Sequence, residues 1–174
     1  PTDNPLIVHI ADWEAIRAIV SEIPEAAKQL ADAFWPGPLT MILNKSDLVP
    51  YATTGGLETV AVRMPVNPIA RALIRAGGGY VAAPSANTSG RPSPTKAEHV
   101  AEDLNGKIDM IIDGGTVDIG LESTIVDLTD GAPTILRPGY INQEMLTKVL
   151  GEVEMDRGLI APESGVHPKA PGMK

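Results

Sequence analysis

The segment from Pro84 to Pro94 contains the densest group of side chains able to hold a small anionic ligand. It follows an apolar run that predicts a strand, and it carries hydroxyl or amide groups at Ser85, Asn87 and Ser93. Several donors in one short segment can hold a phosphate or a ribose. An ordinary solvated loop can have the same composition, so this segment alone leaves both interpretations open.

Two arginines lie where predicted strands end. Arg63 stands in Val62-Arg63-Met64-Pro65, and Arg137 stands in Leu136-Arg137-Pro138-Gly139. Guanidinium forks suit carboxylate and phosphate groups, although each arginine taken alone is equally consistent with a surface ion pair. Together with the polar loop and with Glu122-Ser123-Thr124, they predict one anion-binding mouth at an edge of the sheet.

The histidines do not predict a metal site. His9, His99 and His167 are too far apart in the sequence for a metal-ligand spacing, and the chain has no cysteine. His99 belongs to a polar helical pattern and is expected on the surface. His9 ends an apolar strand pattern, where a rim histidine and a ligand contact are both open interpretations.

Two further patterns have simpler explanations than catalysis. Gly77-Gly78-Gly79 follows a predicted helix and lacks the Gly-Lys-Ser/Thr ending of a phosphate-binding loop, which indicates a helix C-cap. Ser85 lacks the flanking glycines of a hydrolase nucleophile, and no partner acid or histidine can be assigned to it. The sequence therefore does not predict a serine hydrolase.

Strand and helix patterns alternate along most of the chain. The predicted strands are Leu6–Ile10, Leu39–Leu43, Thr59–Met64, Tyr80–Ala83, Ile108–Ile112, Ser123–Leu128 and Thr134–Leu136. The predicted helices are one capped by Asp12, one starting at Pro24, one from Asn67 to Gly77, one with a Thr95 and Glu98 capping box, and one from Gln143 to Leu150 capped by Asn142. This alternation predicts an α/β fold in which helices flank a twisted, open and mixed sheet.

Composition excludes several classes of protein. The chain has 174 residues, a formal net charge of −8 and no cysteine, so a disulfide scaffold and a thiolate zinc site are excluded. No apolar run approaches the roughly 18 residues that a membrane-spanning helix needs. The negative charge argues against a broad nucleic-acid surface. We expect a soluble, cytoplasmic protein with no membrane partner.

Six short blocks of the sequence occur together and in order. They are PTDNPLIVHI at 1–10, WPGPLT at 35–40, VRMP at 62–65, PSAN at 84–87, EST at 122–124 and RPG at 137–139. Blocks with these residues in this order resemble the YrdC-type L-threonylcarbamoyladenylate synthase family. The resemblance covers residues 1–150 and implies a YrdC-like fold.

The resemblance also implies an activity. Members of this family make L-threonylcarbamoyl-AMP from ATP, L-threonine and bicarbonate or CO2, and they release pyrophosphate. The product feeds the threonylcarbamoyl modification of an adenosine beside the anticodon of certain tRNAs. ATP, accompanied by Mg²⁺, would be a substrate, and the expected partners include tRNA or double-stranded RNA and downstream tRNA-modifying proteins.

The family's functional residues carry over to matching positions of this chain. The implied L-threonine-binding residues are His9, Arg63, Ala83 and Ser123. The implied ATP-binding residues are Thr2, Thr59, Ser85, Asn87, Ser93 and Arg137. Arg63, Ser85 and Asn87 are the implied catalytic residues, and no protein metal ligand is implied. Such a reaction needs no enzyme nucleophile, because positioning and charge stabilisation can drive it.

The two ends depart from the family pattern. A Lys-x-Arg motif would lie immediately before Pro1, and the stretch from Ala161 to Lys174 resembles a linker in the longer, two-domain members. We therefore expect residues 1–150 to be a YrdC-like catalytic domain without its N-terminal part, and residues 151–174 to be a linker toward a C-terminal domain. A chain that truly starts at Pro1 is expected to be inactive or nearly so.

Two alternatives compete with this interpretation. The first is a non-catalytic module that binds double-stranded RNA or tRNA, against which the charge of −8 counts. The second is a relative with the same fold that activates carbamoyl phosphate instead of threonine. Members of that second type are much longer, and this chain has nothing that resembles their zinc-finger-like segments.

Overall fold

A mixed β-sheet forms the framework of the computed structural model, which describes residues 4–88, 91–117 and 120–160. The strands are β1 (Ile7–Ile10), β2 (Leu39–Asn44), β3 (Thr59–Arg63), β4 (Tyr80–Ala83), β5 (Thr124–Asp127), β6 (Thr134–Arg137) and β7 (Glu154–Met155). Their order across the sheet is β4-β1-β3-β2-β5-β6-β7. Parallel pairs (β1 with β3, β2 with β5, β6 with β7) alternate with antiparallel ones, which confirms the predicted mixed sheet.

Helices connect these strands. They are α1 (Ile16–Ile19), α2 (Glu25–Phe34), α3 (Tyr51–Thr54), α4 (Pro68–Ala76), α5 (Ala97–Leu104), α6 (Gln143–Leu150) and α7 (Arg157–Ile160), and a 3-10 helix at Trp13–Ala15 precedes α1. The predicted caps of α4 and α6 are confirmed, because Asn67 Oδ1 accepts from the Ile69 amide and Asn142 Oδ1 accepts from the Met145 amide. Among the described residues, no helix has the length and apolar character needed to cross a membrane.

The two faces of the sheet differ in how they are covered. One face packs against α1, α2 and α6, whose Ile16, Leu30 and Leu146 are fully buried in the main core. The other face has a smaller buried cluster of five residues. Strand residues alternate between the two faces, so Ala61 of the smaller cluster and Arg63 share a side. Polar candidate site residues therefore lie on the less covered face.

A register shift brings Arg137 to that face. Val126 pairs with Ile135, while Ile125 pairs with Arg137, so Leu136 has no partner on β5. An extra residue of this kind is a β-bulge, which redirects the side chains that follow it. Leu136 packs in the smaller cluster beside Ile125, and the neighbouring Arg137 also reaches this side of the sheet.

The predicted strand at Ile108–Ile112 is wrong. These residues form neither strand nor helix, and Met110 is 76% exposed. Apolar and β-branched composition alone does not make a strand, because a strand also needs a neighbour with which to pair. Within the described residues, no strand pairs with this segment.

Two helices also differ from expectation, one in where it begins and one in where it ends. The Thr95 and Glu98 capping box is wrong, because α5 begins at Ala97 and the Thr95 amide donates to His99 Nδ1 at 3.2 Å. The helix predicted after Asp12 is shorter than expected. It ends at Ile19 because Val20 adopts extended backbone angles and forms a β-bridge with Lys45.

The last strand lies beyond residue 150, where the sequence predicts the start of a linker. β7 pairs with β6 in parallel, with Thr134 opposite Glu154 and Ile135 opposite Met155. The division into a catalytic domain at 1–150 and a linker at 151–174 stays a prediction, and residues 161–174 lie outside the described part of the chain.

Gly139 lies directly against the start of β5, where there is no room for a larger side chain. A Cβ atom at position 139 would come within 2.6 Å of the Glu122 carbonyl oxygen and 2.8 Å of the Thr124 nitrogen. Backbone atoms in a paired strand cannot move aside as a flexible side chain can. We expect Gly139→Ala to lower the free energy of unfolding by about 1–3 kcal/mol, measured by chemical denaturation.

Gly120→Ala is the matched control for that prediction. Among the described residues, a Cβ atom at position 120 would meet only the methyl carbon of Thr95, at an ordinary contact distance of 3.7 Å. Its free energy of unfolding should stay within about 0.5 kcal/mol of the parent protein. Equal losses in both variants would contradict the assigned contact between Gly139 and β5.

Candidate active site

Four polar side chains lie in one row across the less covered face of the sheet. His9 on β1 is paired with Arg63 on β3, and Arg63 is paired with Thr40 on β2. Thr40 is paired with Ile125 on β5, which is in turn paired with Arg137 on β6. Because paired residues in adjacent strands point to the same side, the row gathers one imidazole, two guanidinium groups and one hydroxyl.

The two arginines make this row electropositive. Burial lowers the pKa of Arg63, and the positive charge of Arg137 lowers that pKa further. Burial also lowers the pKa of Arg137, while the nearby Glu122 carboxylate opposes that effect. Both guanidinium groups still keep their charge at neutral pH. Two partly desolvated cations that repel each other favour the binding of an anion between or beside them.

Arg137 is anchored to the residue before β5. Its Nε and Nη2 atoms donate to the Ser123 carbonyl oxygen at 3.0 and 2.8 Å, and Nη2 also donates to Ser123 Oγ at 3.0 Å. Its Nη1 atom lies 3.2 Å from Glu122 Oε2. The opposite carboxylate oxygen, Glu122 Oε1, accepts from Ser93 Oγ at 2.8 Å. Ser93, Ser123 and Arg137 therefore belong to one hydrogen-bonded network.

Thr40 is a site residue that the sequence interpretation missed. Its Oγ1 lies 2.7 Å from Ser123 Oγ, and both residues are buried. A buried hydroxyl pair of this kind fixes the direction of each hydroxyl, so Thr40 orients Ser123. The available signal was the position of Thr40 in the WPGPLT block, but only the register between β2 and β3 places it beside Arg63.

Several polar atoms of the predicted site are buried without a hydrogen-bond partner. Among the described residues these atoms are His9 Nδ1, Thr59 Oγ1 and Asn87 Oδ1, with Arg71 Nε as the fourth. Three of the four belong to predicted substrate-binding residues. An unsatisfied buried polar atom costs free energy that a ligand can recover, so this distribution favours a ligand site on this face.

His9 is held in its neutral form at pH 7. Burial lowers its pKa below the ordinary value of 6.5, and the positive charge of Arg63 lowers it further. A neutral imidazole has one donor nitrogen and one acceptor nitrogen. His9 can therefore donate one hydrogen bond to a ligand or accept one from it, without adding a third positive charge beside Arg63 and Arg137.

The polar loop is attached to the rest of the site at defined points. Asn87 Nδ2 donates to the Arg91 carbonyl oxygen at 2.7 Å, which fixes the orientation of its amide. Arg91 forms an ion pair at 2.7 Å with Asp103 of α5, whose side chain is only 8% exposed. Arg91 carries the single guanidinium of the Pro84–Pro94 segment. Ser93 of the loop also joins the network through Glu122, so the described residues of the loop are tied to the site by side-chain contacts.

The remaining predicted residues are more scattered. Ala83 ends β4 opposite Ile7, and Ser85 is exposed on the loop. Thr59 starts β3 on the same face as Arg63, which places it about 13 Å away along the strand. Thr2 lies outside the described residues. The structure thus brings together His9, Arg63, Ser93, Ser123 and Arg137 more closely than the others.

In the part of the chain that the structure describes, no three histidine, aspartate or glutamate residues lie together as a metal-binding group. The site combines two guanidinium groups and neutral donors with the Glu122 carboxylate, which contacts Arg137. This arrangement can hold anions, orient hydroxyl groups and stabilise negative charge that develops on a reacting group.

Comparisons with known proteins identify relatives of this chain. The family model for Sua5, YciO and YrdC, described as telomere recombination, matches residues 1–139. A threonylcarbamoyl-AMP synthase of Pyrococcus abyssi is 55% identical over 174 residues, and one of Bacillus subtilis is 53% identical over 175 residues. Each alignment covers 100% of this chain but only 51% and 50% of the respective relative. The chain thus spans about half the length of these relatives.

A solved structure extends the similarity to three dimensions. The structure of Pyrococcus abyssi Sua5 complexed with L-threonine matches with a TM-score of 0.95 and 55% sequence identity. The match covers 100% of this chain and 51% of that protein. The mixed sheet and its flanking helices are therefore those of a YrdC-like fold, as the sequence predicts.

The buried neutral His9 predicts a pH dependence of stability. Because the folded-state pKa lies below 6.5, the unfolded chain binds more protons than the folded protein as the pH falls below that value. The free energy of unfolding should therefore fall as the pH drops through 6.5 toward the folded-state pKa. Above pH 6.5, His9 should cause no change of that free energy with pH. Chemical denaturation at a series of pH values measures this trend.

His9→Gln should remove that component of the pH dependence. His99→Gln, which alters an exposed imidazole on α5, is the control and should retain it. Identical pH profiles for the parent protein and His9→Gln would contradict the assignment of a buried, neutral imidazole at position 9.

Proposed function

Because the chain belongs to the Sua5, YciO and YrdC family, we propose that it is the catalytic part of an L-threonylcarbamoyladenylate synthase. The observation that carries this proposal is the pair of partly buried arginines, Arg63 and Arg137, on one face of the sheet. The reaction joins two anions, since a threonine-derived carbamate must meet the α-phosphate of ATP. Two guanidinium groups on one face of the sheet suit that requirement.

The threonine side of the site is formed by the β1 and β3 end of the row. Arg63 would bind the substrate carboxylate through its guanidinium fork. His9, with its unpartnered Nδ1, and Ser123, oriented by Thr40, would bind the hydroxyl and amine groups. The backbone at Ala83, paired with Ile7 at the end of β4, would close this side.

The ATP side is formed by the polar loop and β6. Arg137 would contact the phosphates, while Ser93, Asn87 and Ser85 would orient the phosphates and the ribose. Thr59 lies further along β3, at a distance that suits an extended nucleotide better than an amino acid. Thr2 stays a prediction for this side, since it lies outside the described residues.

Mg²⁺ would enter the site on the triphosphate. This ion commonly keeps several waters and binds phosphate oxygens, so it does not require a cluster of protein carboxylates. The residues described around the site fit such a substrate-borne ion, since they offer hydroxyls and amides but no acidic group of three. Mg²⁺ would neutralise charge on the phosphates as they react.

The chemical steps need positioning more than covalent catalysis. The neutral threonine amine attacks CO2 and loses a proton to solvent, which gives a carbamate. A carbamate oxygen then attacks the α-phosphorus while pyrophosphate leaves. When bicarbonate is the source, one water is also released. Arg63, Ser85 and Asn87 would align the reacting groups, and the arginines would stabilise the charge on phosphate.

The product would serve downstream tRNA-modifying proteins in the cytoplasm, with tRNA as the final acceptor. The net charge of −8 does not favour a broad nucleic-acid surface, so the alternative of a non-catalytic RNA-binding module is not favoured. We also propose that residues 1–150 form the catalytic domain, without its N-terminal part, and that residues 151–174 lead toward a further domain. The roughly twofold greater length of the relatives supports this organisation.

Product formation tests the proposed function. The natural protein at its full length, incubated with ATP, L-threonine and ¹³C-bicarbonate, should yield a labelled threonylcarbamoyl-AMP detected by mass spectrometry. Arg63→Ala should reduce the rate at least about 100-fold, because it removes a charged, bidentate contact. Arg17→Ala, at an exposed position of α1, is the control. Folded protein that forms no threonine-dependent adenylate would overturn the proposal.

Thr40→Val tests the positioning role of Thr40. The substitution keeps the side-chain shape but leaves Ser123 Oγ with Arg137 as its remaining partner at the site. We expect the KM for L-threonine to rise about 3- to 10-fold with a smaller change in kcat. Thr134→Val removes a hydroxyl that bonds the Ala132 carbonyl and is the control. The same KM change in both variants would show that Thr40 acts only through stability.

A further inference from the structure

Glu122 is an acidic residue in a site that is otherwise built to bind anions. Its Oε1 accepts a hydrogen bond from Ser93 Oγ at 2.8 Å, and its Oε2 lies 3.2 Å from Arg137 Nη1. Both partners are residues assigned to the ATP side of the proposed site. The Glu122 carboxylate therefore contacts two side chains that a phosphate of ATP would contact.

Arg137 does not need Glu122 to hold its position. Its Nε and Nη2 edge makes three hydrogen bonds to Ser123, at 2.8 to 3.0 Å. The contact with Glu122 uses the other terminal nitrogen, Nη1, and is the longest of these distances. Hydrogen bonding to Ser123 thus fixes the guanidinium, while Glu122 contacts it at Nη1.

The two side chains also differ in their access to water. The Glu122 side chain is 44% exposed, whereas the Arg137 side chain is only 12% exposed. The carboxylate can therefore rotate into solvent at little cost, because a partly exposed ion pair contributes little free energy. The arginine cannot leave its position as easily. A phosphate that arrives at Arg137 would displace the glutamate and not the arginine.

We infer that Glu122 is a displaceable carboxylate that competes with the ATP phosphates for Arg137 and Ser93. In the empty site it neutralises the arginine. When nucleotide binds, the phosphates take over both contacts, and when pyrophosphate leaves, the carboxylate returns. Glu122 therefore weakens nucleotide binding and speeds product release. This inference rests on the proposed function, since it assigns the phosphates of ATP to Arg137 and Ser93.

Glu122→Gln tests the inference, because it removes the charge and keeps the size of the side chain. The KM for ATP and the inhibition constant for pyrophosphate should each fall about threefold or more, while the KM for L-threonine stays within about twofold. Glu144→Gln on α6, which alters an exposed ion pair with Lys148, is the matched control and should change none of these constants.

An unchanged or higher KM for ATP in Glu122→Gln would overturn the inference. It would mean that Glu122 holds the ATP-binding residues in place or assists the bound metal ion. Calorimetric titration of the full-length protein with ATP alone separates this failure from failure of the proposed function. Tighter ATP binding by Glu122→Gln supports the competing carboxylate even if threonylcarbamoyl-AMP is not formed, and thermal unfolding verifies that the variant is folded.

Discussion

The site depends on keeping two guanidinium groups partly buried on the same face of one sheet. Burial lowers the pKa of both Arg63 and Arg137, and the positive charge of Arg137 lowers that of Arg63 further. The fold keeps them there by hydrogen bonds to fixed backbone atoms, since Arg137 is held by the Ser123 carbonyl and Arg63 Nε donates to the Gly37 carbonyl at 3.4 Å. A bound anion would neutralise the positive charge that the Glu122 carboxylate leaves on the pair.

The sheet supplies the required alignment through its register. Pairing of β1, β2 and β3 places His9, Thr40 and Arg63 in one row, and the bulge in β6 turns Arg137 into the same row from the far side. Helices pack on the opposite face, where a fully buried aliphatic core holds the strands rigidly. One face of the sheet thus provides stability, and the other is left free for chemistry.

Local sequence patterns predicted the helices and strands better than they predicted contacts between residues far apart in the chain. The α6 boundaries and the Asn142 cap follow from short-range chemistry, and they are confirmed. The strand expected at Ile108–Ile112 fails because pairing depends on partners elsewhere in the chain. The Thr40–Ser123 hydrogen bond joins residues 83 positions apart, so no local pattern could reveal it. The family resemblance implied Arg63 and Arg137 as binding residues, and the register and the bulge place both on one face of the sheet.

A crystal structure of the full-length protein with L-threonine and a non-hydrolysable ATP analogue tests the central claim most directly. The account predicts the threonine carboxylate on Arg63, phosphate oxygens within hydrogen-bond distance of Arg137 Nη1, and both ligands on the same face of the sheet. Ligands bound on the helix-covered face, or phosphates that contact neither arginine, would contradict it.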